Sequence, residues 1–381
     1  MASAQEPPRS ASGWRSTAFT ILTSVLALAL ALVAGAVFIA VSGDDPAESY
    51  RALWDGAFGS RRAIGETLAA STPYIFGGLA FAIAFRAGMF NIGIEGQMVM
   101  GGLAAGLFAG ADLGLPAVVY VPTSMALALI VGGLWGSIAG ILKAAFGAHE
   151  VITTIMLNYL AFRILSYTLL ETESFFPVNP QLQATDMAAA DARLPVILSG
   201  TRLHAGLIVG LATALLMWYL LFRTTFGYNL RTVGLSRGAA TYAGIRWGAT
   251  VASAMFVSGG LAGLGGGSES IGLLGQQYNS TPGYGFTSIA VGLVGRNHPL
   301  GVVAAAFIFG ALRSGSNAMQ NQVGTSREIV LVLQGLVILA IAALAATGRV
   351  KIWWNRRSRS KTPDDDVNST LGVGPGVVPE I

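Results

Sequence analysis

The sequence predicts an all-α, polytopic integral membrane protein with about ten transmembrane helices, some of them short or broken. Three observations carry this expectation. Of 381 residues, 53% are hydrophobic and only 11% charged. The mean hydropathy is +0.61. Uncharged stretches of membrane-spanning length recur along the chain. Soluble domains carry about 25% charged residues, so a soluble enzyme and a disordered chain are both excluded. The 50 glycines have no three-residue period, which excludes collagen.

Residues 1–17 are rich in Ser, Pro and charge and read as a disordered cytoplasmic N-terminus. The membrane domain then runs from 18 to 348. Its first span, Ala18–Ser42, exceeds the roughly 7–15 apolar residues of a signal peptide. Uncharged stretches follow at Thr67–Phe85, Gln97–Ala111, Leu113–Leu142, His204–Phe222, Gly248–Ser268 and Ile329–Gly348, and Val151–Leu170 is interrupted only by Arg163. Within Ile271–Leu312 two apolar runs flank Arg296-Asn297-His298-Pro299, so one kinked span or two short ones would fit. Charge parity decides. Arg9 and Arg15 precede the first span, and Arg349, Lys351, Arg356, Arg357, Arg359 and Lys361 follow the last. The positive-inside rule places both termini in the cytoplasm, which requires an even number of spans and favours ten.

On that topology the 223–247 loop is cytoplasmic and carries Arg223, Arg231, Arg237 and Arg246 with no acid. The 43–66 and 171–203 loops are external and acidic, and 171–203 is too short for a domain. The tail 349–381 is basic and then disordered. Glycines four apart (Gly102, Gly106, Gly110; Gly132, Gly136, Gly140; Gly259, Gly263, Gly267) line up on helix faces, where backbones can approach closely.

The chain has no cysteine and three dispersed histidines, so disulfides, thiolate metal sites and a metal cluster are not expected. None of its three lysines follows a glycine, so the phosphate-binding Gly-Lys-Ser/Thr pattern is missing. Gly234-Leu-Ser236-Arg-Gly238 matches a nucleophile elbow but sits in a loop between spans without triad partners. His149-Glu150 begins a zinc-protease pattern that Thr153 breaks. No catalytic residue, cofactor or metal is expected. Lys and Arg are spread over loops, which argues against nucleic-acid binding.

The polar residues inside the spans are the functional candidates, because buried polarity in a bilayer is costly and faces the bundle interior. Asn91, Glu95 and Gln97 belong to a string too polar for a lipid-facing helix start. They either form the solute route or cap the third span. Asn158 and Arg163 lie in the fifth span, where the arginine needs an interhelical partner or a wet pathway. Gln276, Gln277 and Asn279 precede Pro282-Gly283-Tyr284-Gly285-Phe286, which reads as a broken helix at the external mouth or as an ordinary turn. With Glu95 at an edge, the spans hold no mid-bilayer acid, which argues against an ion-coupled secondary transporter. In the 226–245 segment Gly234 can turn the chain and Ser236 can cap a short helix holding Ala239, Ala240 and Tyr242, suited to a groove on another protein. A plain linker is the other reading.

Residues Phe226–Ile245 resemble the cytoplasmic coupling loop of ABC importer permeases of the ribose and branched-chain amino acid class. Arg86-Ala-Gly88-Met-Phe-Asn91-Ile-Gly93-Ile-Glu95-Gly96-Gln97-Met98 is similar to the signature of the simple-sugar and nucleoside branch. His149–Tyr159 and Gly283–Gly295 resemble the same branch, and the likeness runs from about 65 to 345. The resemblance implies a bacterial plasma-membrane permease that pairs with a second, homologous permease, most simply as a heterodimer. It also implies cytoplasmic ATPase subunits and an extracytoplasmic substrate-binding lipoprotein. Gly234, Ser236, Ala239, Ala240, Tyr242 and Gly244 would contact the ATPase. The implied solute is a nucleoside, with a simple sugar or other small solute as the alternative, carried without chemical change.

Overall fold

The computed structural model describes residue 29 and residues 32–170, 176–326, 328–332 and 335–336. The chain divides into two compact units, Met1–Val37 with Gly335–Ile381, and Phe38–Gln334. Of the expected first and last spans only Ala29, residues 32–42 and residues 329–332 and 335–336 are described. The terminal segments 1–17 and 349–381 lie outside the described residues.

A short apolar helix, α1, covers Leu32–Val41. It is followed by α2 (Pro46–Phe58), α3 (Arg61–Arg86), α4 (Ile94–Gly110), α5 (Ala117–Phe146), α6 (Glu150–Leu170), α7 (Gly206–Arg223), α8 (Thr225–Leu235), α9 (Arg237–Tyr242), α10 (Trp247–Ser268), α11 (Tyr284–Val294) and α12 (Pro299–Val323). Among the described residues six helices are long and apolar enough to cross a membrane: α3, α5, α6, α7, α12, and α10 with its extension to Leu274. The segment expected as an external loop over 43–66 holds α2 instead. Asp45 caps it by accepting from the Ala47 amide at 2.7 Å, and Pro46 sits in its first turn, where no amide is missed.

Helix α10 packs at the centre of the unit, and glycine sets how near its neighbours come. A Cβ on Gly132 would stand 2.6 Å from the Gly259 carbonyl oxygen, and one on Gly136 would stand 2.6 Å from that of Met255. The two glycine faces of α5 and α10 therefore meet backbone to backbone, as the four-residue spacing suggests.

The run 271–312 separates into a half-helix and a span. The 11 residues of α11 rise about 16 Å, half of a bilayer core. The chain then turns through Arg296 and Asn297, both at positive φ, into α12. The α10 helix continues as a π-helical stretch over Glu269–Leu274. Segment 176–203 folds over that end of the bundle. Its strands β1 (Val178–Asn179) and β2 (Ala184–Thr185) pair antiparallel. Its amides at Thr185, Ala188 and Leu194 donate to the carbonyls of Gln277, Gly275 and Ile271.

Candidate functional site

Between α3 and α4 the backbone is irregular over residues 87–93 and held by side-chain amides. Gly88 takes φ +77° where the chain leaves α3. Asn91 donates to Gln97 Oε1 and to Ser258 Oγ, both at 2.9 Å, and its Oδ1 accepts from the Gly93 amide. Ser258 in turn donates to the Ala80 carbonyl at 2.7 Å. From α6, Asn158 brackets the same segment: its Oδ1 accepts from the Gly96 amide at 2.8 Å and its Nδ2 donates to the Ile92 carbonyl at 2.9 Å. Buried backbone groups need partners, and an amide side chain supplies one acceptor and one donor at once. Asn91, Gln97 and Asn158 are all buried and bonded to the protein itself.

Glu95 stands at the start of α4 and is 2% exposed. Its Oε2 accepts from the Gly285 and Phe286 amides at 2.6 and 3.2 Å, the orphan donors at the start of α11. A carboxylate at a helix N-terminus also meets the positive end of the helix dipole. Thus α4 and α11 both begin inside the bundle, and one side chain joins their starts.

A cavity of about 740 Å³ opens beside this junction, walled by α2, α3, α12, the π-helical stretch and the start of α11. Its polar lining includes Glu269, Tyr284, Arg313, Asn317 and Asn321. The last three are four apart and share a face of α12. Three carboxylates (Asp55, Glu66, Glu269) and three guanidinium groups (Arg62, Arg202, Arg313) balance formally. At the rim Arg202 donates to Glu66 Oε2 at 2.6 Å, which holds the guanidinium above its ordinary pKa range. Deeper, Arg313 lies 5.5 Å from the centre of the Tyr284 ring, and Tyr284 meets Tyr74 edge-on at 4.9 Å. Oε1 of Glu269 is buried with no hydrogen-bond partner among the described residues. Glu269, Pro282 and Tyr284 also wall a second, tight space of about 10 Å³ that reaches Glu95 and Gln277. Of the polar residues expected on a solute route, Tyr284 lines both spaces, and Glu95 and Gln277 line the tight one. Asn91, Gln97 and Asn158 line neither. Gln276 is buried, Asn279 accepts from Ser166 at 2.8 Å, and Phe286 is half exposed.

Glu269 lies beyond the uncharged stretch that ends at Ser268, but still within the helical run Trp247–Leu274, near its end. Arg163 is exposed on α6, and among the described residues it has no interhelical pair and lines neither space. Sequence reasoning also missed Arg313, Asn317 and Asn321, although their four-residue spacing was there to be seen beyond Leu312.

At the opposite end of the bundle, Ser236 accepts from the Ala239 amide at 3.3 Å and starts α9. Ala240 is fully buried against Met89, Val233 and Val251. Gly234 lies against the Arg86 carbonyl, where a side chain has no room. Tyr242 is 99% and Leu235 88% exposed, and Ala239 and Gly244 are exposed beside them. Arg237 stacks 4.1 Å from the centre of the Trp247 ring. The helix is thus rooted on one face, and with the end of α8 it presents small residues and two apolar knobs on the other.

Comparison with known proteins fits this arrangement. The family described as "Branched-chain amino acid transport system / permease component" matches residues 63–342. The chain belongs to this permease family. It is 39% identical to the guanosine ABC transporter permease protein NupP of Bacillus subtilis over 330 residues, covering 85% of this chain and 93% of that one. It is 34% identical to the nucleoside ABC transporter permease protein NupB of Lactococcus lactis, covering 84% and 90%. A glucose ABC transporter permease protein of Haloferax volcanii is 30% identical, covering 94% and 96%. No solved structure matches. Membership makes this permease a multi-pass membrane protein and a transporter subunit rather than an enzyme.

Proposed function

We propose that this permease is one of two transmembrane subunits of an ATP-driven nucleoside importer of the bacterial plasma membrane, and that the 740 Å³ cavity is the part of the solute route it contributes. The observation that carries the reading is the composition of that cavity. Its charges cancel and its remaining polar groups are amides, hydroxyls and a tyrosine, a lining for an uncharged, hydrogen-bonding solute with a flat face. A phosphorylated solute would need a surplus of cations there. The names of the two bacterial relatives support a nucleoside.

In this reading the 176–203 side faces outward and receives an external binding protein, and both termini are cytoplasmic. The exposed surface of α9 and its flanks, with Leu235, Ala239, Tyr242 and Gly244, seats in a separate ATPase subunit. Ser236, Gly234 and Ala240 hold that helix on the membrane body. ATP-driven closure of the ATPase pair moves α9, and the solute leaves the wide cavity past Tyr284 and Glu269 toward Glu95 and Gln277. Asn91, Gln97 and Asn158 keep the broken start of α4 in place during that motion.

The test is uptake by the complete transporter in proteoliposomes. ATP-dependent accumulation of labelled guanosine that unlabelled nucleosides block and glucose does not is the expected result. Blocking by glucose alone would reassign the solute to a sugar, as the Haloferax relative suggests.

A further inference from the structure

Helix α6 has one buried and one bare face. Thr154, Asn158, Ala161, Leu165 and Leu169 are buried, whereas Ile152, Met156, Tyr159, Leu160, Arg163, Tyr167 and Leu170 are exposed. The exposed positions advance by three or four residues and form one continuous stripe. Tyr159 and Tyr167 are 63% and 73% exposed. Arg163 stands in the middle of this stripe and makes no hydrogen bond, ion pair or ring contact among the described residues.

A bare arginine at this position does not suit lipid. It lies 13 residues beyond Glu150 and 7 before Leu170, about 20 Å and about 10 Å from the helix ends. Helical side chains lean toward the N-terminus, here the distant end, so the guanidinium is aimed away from the nearer headgroups. An arginine left in hydrocarbon is costly to insert. That cost disappears if a neighbouring protein supplies an acceptor. The stripe itself carries no acid, so the same face of a second copy would set arginine against arginine.

We infer that this stripe of α6 is the face against which the second, non-identical permease subunit seats, with Arg163 bonded to a carboxylate or to carbonyls of that subunit within the bilayer. The inference rests on the two-permease reading above but not on the identity of the solute. It gives α6 two duties: Asn158 on one side holds the irregular start of α4, and Arg163 on the other fastens the partner.

The chain has no cysteine, so single-cysteine variants need no background removal in this subunit, and they are labelled before assembly with the others. In the complete transporter in liposomes, Met156→Cys, Tyr159→Cys and Tyr167→Cys, each spin-labelled, are expected to be at least fivefold less accessible to oxygen than Leu216→Cys, an exposed position on α7. A photoreactive thiol reagent at Tyr159→Cys is expected to yield a band at the summed mass of the two different permeases. Arg163→Leu is expected to lower the co-purified partner at least tenfold, with Arg163→Lys intermediate. Oxygen accessibility equal to that at position 216, cross-links to lipid, within this chain or between two copies of it, or undiminished co-purification of the Arg163→Leu variant would overturn the inference. A transporter that takes up nucleosides with this stripe open to lipid would sink the inference and leave the functional reading standing. A cross-linked pair that moves no nucleoside would do the reverse.

Discussion

Asn158→Leu separates a structural role for the α6 amide from a solute-binding one. The substitution keeps the branching of the side chain but removes the acceptor for the Gly96 amide and the donor to the Ile92 carbonyl. Gly96 lies in the first turn of α4, whose amides have no intrahelical partner, so its N–H would be left buried and bare. The Ile92 carbonyl loses its partner at the same time. An unsatisfied buried group costs about 1–3 kcal/mol, so the pair costs about 2–6 kcal/mol. At about 2–4 °C per kcal/mol for domains of 150–250 residues, the midpoint should fall by about 4–24 °C. The assay is thermal unfolding of the purified permease in detergent micelles, followed by tryptophan fluorescence, alongside uptake per folded molecule. The account predicts a large fall in the midpoint, with residual uptake tracking the amount of folded protein. An unchanged midpoint with abolished uptake would refute it, because Asn158 would then act on the solute.

Other elements give equally direct outcomes. Gly136→Leu places a side chain where a Cβ alone would stand 2.6 Å from the Met255 carbonyl, so the α5–α10 contact should open at a cost of about 1–3 kcal/mol or more, read as a lower unfolding midpoint. Glu95→Gln keeps the shape but weakens the charge-assisted cap on the Gly285 and Phe286 amides. It should cost about 1–2 kcal/mol of stability, and an unchanged midpoint would count against the cap. Tyr242→Ala removes a side chain that touches little of its own chain. The unfolding midpoint should therefore stay within about 1 °C while ATPase co-purification falls; a lowered midpoint would show that Tyr242 packs inward.

Most of the long spans were legible because each holds a long apolar run, and the glycine faces because their spacing repeats every four residues. Within 271–312 the polar turn Arg296-Asn297-His298-Pro299 was the legible sign of the break between α11 and α12. The 43–66 segment misled because α2 is amphipathic and carries charge, so hydropathy alone passes over a helix that Asp45 and Pro46 announce. Ser236 as a helix cap was readable locally, since a cap needs only the residues that follow it. The site was harder. Asn91, Glu95, Gln97 and Asn158 stood out as polarity in apolar surroundings, but whether such a residue meets solute or another helix depends on partners far away in the chain: Asn91 and Ser258 are 167 positions apart, Glu95 and Gly285 190. Glu269 and the α12 face were passed over for a simpler reason, that spans were ended at the first charge.

The most direct measurement plugs the cavity. Asn317→Trp projects a large ring from the α12 face into the space bounded by Tyr284 and Arg313, far from α9 and from the α6 stripe. Assembled with its partners in proteoliposomes, the variant should retain assembly and ATP hydrolysis while ATP-driven guanosine uptake falls at least tenfold. Undiminished uptake through the plugged permease would contradict the claim that solute crosses by this cavity.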